Sequence, residues 1–340
     1  MAAKSYLDLK REVWETSTCS GCGACTAVCP ADALSFPDGK MATSPVSNGY
    51  CKQETDHVPC GACYAACPRT GRQSAETLGS YLELATGKAA FEIPHRQSGG
   101  AVTAILASAL DEGIIDAVVT VTEDPFTLQP ASVVITQSDV LVRKAGSRYS
   151  WWVPLLAALR QAVVEQKFRR IVVVGVPCVA QAVARIRSGD NDLLVPYAKS
   201  IRAVIGLFCT ESFDYTALMT KKLRQEYHIE PSDIRKLDVK GKLEVMSHDG
   251  NTISVPLADL EKCIRPGCAC CTDLTATTAD LSAGAIGSPA GMTTLIIRTK
   301  TGKALVDNAV RQKKLIIGAG VDTAAIEKLA SAKIRKNSRK

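Results

Sequence analysis

Eight cysteines near the start of the chain fall into two groups whose spacing is typical of metal ligands. The first group has the pattern CxxCxxCxxxCP and consists of Cys19, Cys22, Cys25 and Cys29. The second group has eight residues after its first member and consists of Cys51, Cys60, Cys63 and Cys67. Three closely spaced thiolates wrap one corner of an iron–sulfur cubane, and a proline follows the fourth cysteine in ferredoxins. The spacing therefore predicts two [4Fe-4S] clusters.

The fourth cysteine of each group is expected to cross to the other cluster, as it does in two-cluster ferredoxins. One predicted ligand set is Cys19, Cys22, Cys25 and Cys67. The other is Cys51, Cys60, Cys63 and Cys29, of which Cys51 has the least regular spacing. Paired zinc sites are disfavoured because zinc ribbons use two CxxC pairs. We interpret His57, in the long loop of the second group, as an exposed residue rather than a ligand.

Six further cysteines lie in the second half of the chain: Cys178, Cys209, Cys263, Cys268, Cys270 and Cys271. Cys178 follows a predicted strand at the start of a helix, where backbone amides stabilise a thiolate. Cys209 ends another predicted strand, and such cysteines are often buried small hydrophobic residues. With the CxxC pair at 268–271 they would also suffice for a third cubane. The spacing alone leaves both interpretations open.

The segments that must position these cysteines alternate between helical and strand patterns. Helical spacing of apolar residues covers 102–110, 152–166, 178–187 and 213–227. Short apolar runs predict strands at 116–121, 131–135, 171–175, 201–208 and 293–299. Turn residues near 240 and 250 indicate a local antiparallel sheet. The predicted fold is α/β (α+β), with a two-cluster ferredoxin-like domain followed by a mixed α/β core.

We divide the chain into a ferredoxin-like domain over 1–75, a linker over 76–95, a core over 96–300 and C-terminal helices with a basic tail over 301–340. The formal net charge of +7 is concentrated in that tail, where six basic residues and no acid follow position 327. We interpret the tail as solvated, with a docking patch for an acidic partner as the alternative. We predict no nucleic-acid binding.

The chain contains neither a secretory signal nor an apolar run long enough to span a bilayer. We therefore expect a cytoplasmic protein, which reaches a membrane only peripherally, through a membrane complex.

Gln97-Ser98-Gly99-Gly100 opens the first core helix. Glycines there expose backbone amides that favour a phosphate, although Ser98 as a plain N-cap explains the segment equally well. Neither the dinucleotide-binding GxGxxG pattern nor the P-loop pattern occurs.

Several segments, in consistent order, resemble the family of beta subunits of the F420-reducing hydrogenases and dehydrogenases. They are QSGGAVT at 97–103, EGIID at 112–116, GSRY at 146–149, GVPC at 175–178, IGLFC at 205–209, GCACCTD at 267–273 and the small-residue segment 279–287. The ferredoxin unit in front of this core resembles the electron-input subunit of reduced-F420 dehydrogenase complexes.

The resemblance implies a core that holds FAD and one further [4Fe-4S] cluster, with a pocket for coenzyme F420 as substrate. The implied ligands of this third cluster are Cys178, Cys209, Cys268 and Cys271, with Cys263 or Cys270 as alternatives to Cys268. The implied flavin-binding residues are Gln97, Ser98, Gly99, Gly100, Thr103, Ser147, Arg148, Tyr149, Gly175, Pro177, Gly284 and Gly287.

The function expected from this resemblance is that of an F420 oxidoreductase in the electron transport of methanogenesis. A hydride would pass between F420 and FAD, and single electrons would pass through three clusters to partner subunits of a larger complex. Hydride transfer depends mainly on orientation and distance, so we predict no catalytic acid or base. The alternatives are a non-catalytic ferredoxin-like adaptor and a flavin/iron–sulfur reductase of another substrate, such as a tetrapyrrole.

Overall fold

The computed structural model describes residues 4–37, 42–71, 75–147, 152–239 and 241–338. Within these ranges an eight-stranded mixed sheet is accompanied by a three-stranded antiparallel sheet and a two-stranded sheet. The strands are β1 (Leu34–Ser35), β2 (Val46–Ser47), β3 (Glu83–Ala89), β4 (Ala117–Glu123), β5 (Pro130–Ile135), β6 (Ile171–Gly175), β7 (Ile201–Leu207), β8 (Ile234–Val239), β9 (Lys242–Ser247), β10 (Thr252–Pro256), β11 (Leu281–Gly284), β12 (Thr293–Ile297) and β13 (Leu315–Gly318).

Helices flank these strands throughout the chain. The α-helices are α1 (Tyr6–Leu9), α2 (Ala24–Ala27), α3 (Lys52–Thr55), α4 (Ala62–Ala66), α5 (Ala101–Asp111), α6 (Ser138–Arg143), α7 (Ala157–Arg160), α8 (Pro177–Ser188), α9 (Val195–Ser200), α10 (Lys300–Arg311) and α11 (Thr323–Asn337). Wider π-helical turns cover Lys10–Trp14, Gln161–Glu165 and Thr216–Glu226, and tighter 3-10 turns cover Asp192–Leu194, Pro231–Asp233, Leu257–Cys263 and Pro266–Cys268. No helix of the described residues is both long and apolar enough to cross a bilayer.

The large sheet has the order β13-β3-β12-β11-β7-β6-β4-β5. Its four middle strands β11, β7, β6 and β4 run parallel, whereas the flanking strands pair antiparallel with their neighbours. Every residue of β6 is buried, as expected for a parallel strand that is covered on both faces. The carboxyl ends of the four parallel strands meet at one edge, which is where α/β sheets bind ligands.

The two faces of the sheet support two separate hydrophobic cores. On one face Val172, Val174 and Ile205 pack with α5 and α10. On the other, Val173 packs with α8, α7 and the helices α2 and α4 of the ferredoxin-like unit. Because side chains alternate across a strand, neighbouring residues of β6 serve both cores. The ferredoxin-like unit is therefore packed into the core of the α/β domain.

Polar side chains of the α/β domain also hold the ferredoxin-like unit in place. Tyr197 Oη donates to the Ala27 carbonyl at 2.6 Å, and Asn191 Nδ2 donates to the Cys60 carbonyl at 2.6 Å. Arg160 donates in the same way to the Cys29 carbonyl at 2.8 Å. The last carbonyl oxygens of a short helix accept no hydrogen bond within the helix. The three side chains donate to backbone oxygens of this kind near the cysteines.

The structure confirms the predicted fold class, including the antiparallel sheet near 240–250, and adds elements that the sequence analysis did not predict. β3 lies in the segment interpreted as a linker, and it pairs with β12 and β13 inside the large sheet. The helix predicted over 152–166 begins only at Ala157, because Leu156 N bonds to the Cys22 carbonyl at 2.9 Å. Both differences arise from pairing with segments distant in sequence.

Candidate iron–sulfur and flavin site

Cys19, Cys22, Cys25 and Cys67 lie together and are called the first set. Burial, followed by the facing sulfurs of Cys67, Cys22 and Cys19, raises the pKa of Cys25 well above its ordinary value. Gly23 begins helix α2 with φ +81°, a left-handed conformation that glycine adopts without strain. This arrangement brings the last cysteine of the second sequence group to the first group, as the crossing pattern predicts.

Cys29, Cys51, Cys60 and Cys63 form the second set. All four line one small cavity, whose other walls include the apolar side chains around 30–34. Burial, followed by the neighbouring sulfurs of Cys29, Cys60 and Cys51, raises the pKa of Cys63 to about 12. The Ala33 N–H donates to Cys29 Sγ at 3.3 Å, a contact of the kind that tunes cluster potentials.

Cys178, Cys209, Cys268 and Cys271 form the third set, contributed by three distant segments. Cys178 opens α8 after strand β6, Cys209 follows β7, and the CxxC pair occupies the turn after Pro266. Burial raises the pKa of Cys178 well above its ordinary value, and nearby sulfurs, Cys271 and Cys209 among them, raise it further. The Ser212 N–H donates to Cys268 Sγ at 3.3 Å.

The two cysteines that the sequence left unassigned lie elsewhere. Cys263 is 3% exposed and packs in a hydrophobic cluster with Leu218 and Met219, around the three-stranded sheet. The Cys270 thiol points to the carbonyls of Gly267 and Thr18, next to the first set. The main electrostatic contacts of Cys209 and Cys268 with other sulfurs include Cys271, and neither Cys263 nor Cys270 is among them.

The three sets lie in a row, with the first set in the middle. Cys25 of the first set interacts with Cys63 of the second, and Cys22 of the first set interacts with Cys178 of the third. The guanidinium of Arg69 lies between the first and third sets. Burial alone would lower the pKa of Arg69, but Cys271, Cys270 and Cys178 raise it above its ordinary value.

The donor set of each group suits a cubane cluster. All fourteen cysteines are free of disulfides. Within the described ranges, no three His, Cys, Asp or Glu side chains converge as the ligands of one metal ion would; a cubane spreads its four thiolates over the corners of a cube. Burial raises the pKa values of Cys25, Cys63 and Cys178. Iron must displace the protons of such thiols on binding, and the negative charge is then shared with the metal.

A cleft of about 620 Å³ opens at the carboxyl ends of β4, β6 and β7. Cys22 of the first set and Cys178 of the third set both contribute to its wall, as does Trp152. The Trp152 indole N–H is buried without an acceptor among the described residues and lies against Gly21, so a bound group with acceptor atoms would satisfy it.

Two of the twelve implied flavin residues, Ser147 and Gly175, line this cleft. Pro177 is buried at the start of α8, between cleft residues Val176 and Cys178. A Cβ at Gly175 would collide with Val179, so the missing side chain also lets α8 pack against the end of β6. Arg148 and Tyr149 lie outside the described residues.

The other implied flavin residues occupy the same edge of the sheet but not the wall of the cleft. Gln97 Nε2 donates to Asp238 Oδ1 of β8, and Ser98 Oγ donates to the Met292 carbonyl. Gly99 packs against β3, and its N–H donates to Thr293 Oγ1 at 3.0 Å. The remaining members of this group are Gly100 and Thr103 at the start of α5, Gly284 against Phe208, and Gly287 against α11.

Sequence reasoning missed four residues around the cysteines: the buried Trp152, Arg265 and Lys333 and the half-buried Arg69. Arg265 is 2% exposed, stacks on the Trp152 ring at 3.9 Å and donates to the Thr43 carbonyl at 3.0 Å. Arg69 directly follows a Cys-Pro pair, which was the one available signal for its position. Isolated basic residues otherwise resemble surface residues in a single sequence.

Comparisons with known proteins agree with this arrangement. Residues 12–35 match a 4Fe-4S binding domain. Residues 84–160 and 168–323 match the N-terminal and C-terminal parts of the coenzyme F420 hydrogenase/dehydrogenase beta subunit. The fold and the cysteine sets thus define an iron–sulfur protein with a mixed α/β core. The chain belongs to the family of coenzyme F420 hydrogenase/dehydrogenase beta subunits.

Similar proteins come from the genera Methanocaldococcus and Methanosarcina. An uncharacterized protein of Methanocaldococcus jannaschii is 41% identical, and the alignment covers 97% of both chains. A subunit of the F(420)H(2) dehydrogenase of Methanosarcina mazei is 31% identical over 87% of this chain and 83% of that one. A chain of the F420-reducing [NiFe] hydrogenase complex from Methanosarcina barkeri superposes with a TM-score of 0.72 at 29% identity, covering 79% of this chain and 94% of that one.

Proposed function

We propose that this chain is an F420 oxidoreductase that couples coenzyme F420 through FAD to three [4Fe-4S] clusters, which the three cysteine sets bind. The single observation that carries the proposal is the cleft that contacts both Cys22 and Cys178. A group bound there would touch the first and third sets at once. The family membership supports F420 as the partner of that group.

The residues of the chain have three tasks in this proposal. The cysteines release their protons and bind iron, because only thiolates are ligands. The cleft wall, built largely from apolar residues such as Val121, Val174 and Leu207, excludes water and orients a planar ring. FAD bound there would accept two electrons together and release them singly, which F420 and a cubane cannot do between themselves.

We assign the flavin ring to the Ser147 and Gly175 part of the cleft. The turn from Gln97 to Gly100, at the same edge of the sheet, would meet the more distant phosphate-bearing part of the cofactor, together with Thr103. Pro177, Gly284 and Gly287 would support the backbone of this edge, and Arg148 and Tyr149 complete the proposed set.

The row of cysteine sets gives the proposed path a direction in space. The third and first sets adjoin the cleft, whereas none of the cysteines of the second set lines it. The segment that follows Cys51 is exposed from Glu54 to Pro59. We propose that this segment meets the electron-transfer partner subunit of a larger complex.

The test uses anaerobically purified, FAD-loaded protein, reduced coenzyme F420 and a one-electron artificial acceptor. Oxidation of the deazaflavin in proportion to FAD occupancy is the expected result. No oxidation at any FAD occupancy rejects the enzyme. If the protein as isolated, before any FAD is added, releases no yellow flavin on acid precipitation, it would instead be a ferredoxin-like adaptor.

Iron content tests the third set directly. Cys178→Ala should lose about four irons per chain and retain the other clusters, because a cubane needs all four thiolates. Cys263→Ala is the matched control, since Cys263 is buried in a separate hydrophobic cluster. An unchanged iron content in Cys178→Ala would refute the third cluster.

A further inference from the structure

The last helix of the chain, α11, presents two polar side chains to the interior of the molecule. Its buried residues are Ile326, Ala330, Lys333 and Asn337, which follow one another at intervals of four, three and four and so share one face. Lys333 is 6% exposed and Asn337 is 8% exposed. A helical stripe of this kind is normally apolar, because a buried ammonium is costly unless it is paired.

Both side chains bond to the backbone that carries the third set. Lys333 Nζ donates to the Cys209 carbonyl and to the Asp273 carbonyl, each at 2.7 Å. Asn337 Nδ2 donates to the Cys268 carbonyl at 3.1 Å and to the Cys271 carbonyl at 2.6 Å. One helix therefore connects the segment after β7 with the CxxC turn.

The two carbonyls that accept from Lys333 are neutral and do not balance its charge. The nearby groups that do acquire charge are Cys209, Cys268 and Cys271, which all interact with Lys333 electrostatically. A cubane held by four thiolates is net negative and becomes more negative on reduction. A fixed ammonium beside it favours the reduced state, and the favourable interaction is large because the surroundings exclude water.

We propose that α11 is part of the third iron–sulfur site: Asn337 and Lys333 tie its cysteine segments together, and the Lys333 ammonium raises its reduction potential. This inference rests on the third cluster of the proposed function. The basic residues of the C-terminal tail thus have two roles. Lys333 is buried at the site, whereas Lys328 and Arg335 are exposed.

The test is a redox titration of the full-length loaded protein, in which each cluster is followed by electron paramagnetic resonance. Lys333→Gln keeps an amide donor for the carbonyls and removes the charge. The third cluster should become at least tenfold harder to reduce, about 59 mV lower for a one-electron couple, whereas the second cluster should not change. Lys333→Arg should restore the potential, and Lys328→Gln is the exposed control for loss of one positive charge.

A second measurement needs no variant. Hydrogen exchange of the wild-type protein should show that removing iron speeds exchange in 323–337 more than in α10. Loss of the third cluster alone in Lys333→Gln also supports the proposal. The proposal is overturned if Lys333→Gln retains three clusters and the third has an unchanged reduction potential. It is also overturned if hydrogen exchange in α11 is the same with and without iron. A wild-type protein with only two clusters rejects the proposed third cluster as well, so the two failures are distinguishable.

Discussion

Arg69 places a positive charge at the junction between two cysteine sets. It follows the last Cys-Pro pair of the ferredoxin-like unit, donates to the Gly267 carbonyl at 3.1 Å, and interacts with cysteines on both sides. A cation between two negative clusters stabilises an added electron on either of them. Arg69 therefore lies between the two sets, and its charge affects the reduction potential of both clusters.

Arg69→Gln should lower the reduction potentials of the first and third clusters, each by about 60 mV or more, which is tenfold in the equilibrium constant. The second cluster should keep its potential, because the cysteines that act most strongly on Arg69 are Cys271, Cys270 and Cys178. A redox titration of the variant and the wild-type protein measures the reduction potential of each cluster. Arg235→Gln, an exposed change of the same type, is the control, and equal shifts of all three clusters would contradict the expectation.

At the scale of elements, the turn that carries the CxxC pair is pressed against the ferredoxin-like unit. A Cβ at Gly267 would collide with the Cys19 carbonyl oxygen. The glycine is needed for close approach of two backbones, one from each end of the chain. The first and third sets are therefore adjacent because this turn contains no side chain at that position.

Gly267→Ala should push the turn away from Cys19 and destabilise the protein by about 1–3 kcal/mol, as overpacking does. Urea unfolding measures the loss, and iron analysis should show weakened binding at the first and third sets. Gly71→Ala is the control, because a Cβ there meets Arg185 only at an ordinary 3.4 Å. Wild-type stability and full iron content in Gly267→Ala would show that the turn is free to shift.

At the scale of the whole molecule, the two predicted domains share one hydrophobic core. Ala24, Ala27 and Ala62 of the cysteine helices pack in the same cluster as Val173 and Val183. Small residues on both sides allow close helix packing. The unit also has a smaller cluster of its own around Leu9, Val13 and Leu34, but its cysteine helices contribute their alanines to the shared core. We expect the ferredoxin-like unit and the α/β domain to unfold in one transition.

Tyr197→Phe tests this by removing the bond from Tyr197 to the Ala27 carbonyl, which lies between the two units. A buried carbonyl without a partner should cost about 1–3 kcal/mol. In urea, cluster bleaching and loss of helical signal should shift together to lower concentrations. Tyr227→Phe is the control, since its contact to Asp259 at 3.4 Å is exposed, and separate transitions would indicate independent domains.

The sequence by itself determined the groups of cysteines, the crossing of their fourth members and the alternating core, because ligand spacing and strand or helix periodicity are local properties. It did not determine where β3 pairs, since that strand is defined by partners more than two hundred residues away. Only the tertiary structure decided that Cys22 and Cys178 share a cleft, and that Lys333 of an apparently solvated tail is buried beside the third set. The physical reason is that electrostatic and packing contacts between distant segments leave no periodic trace in the chain.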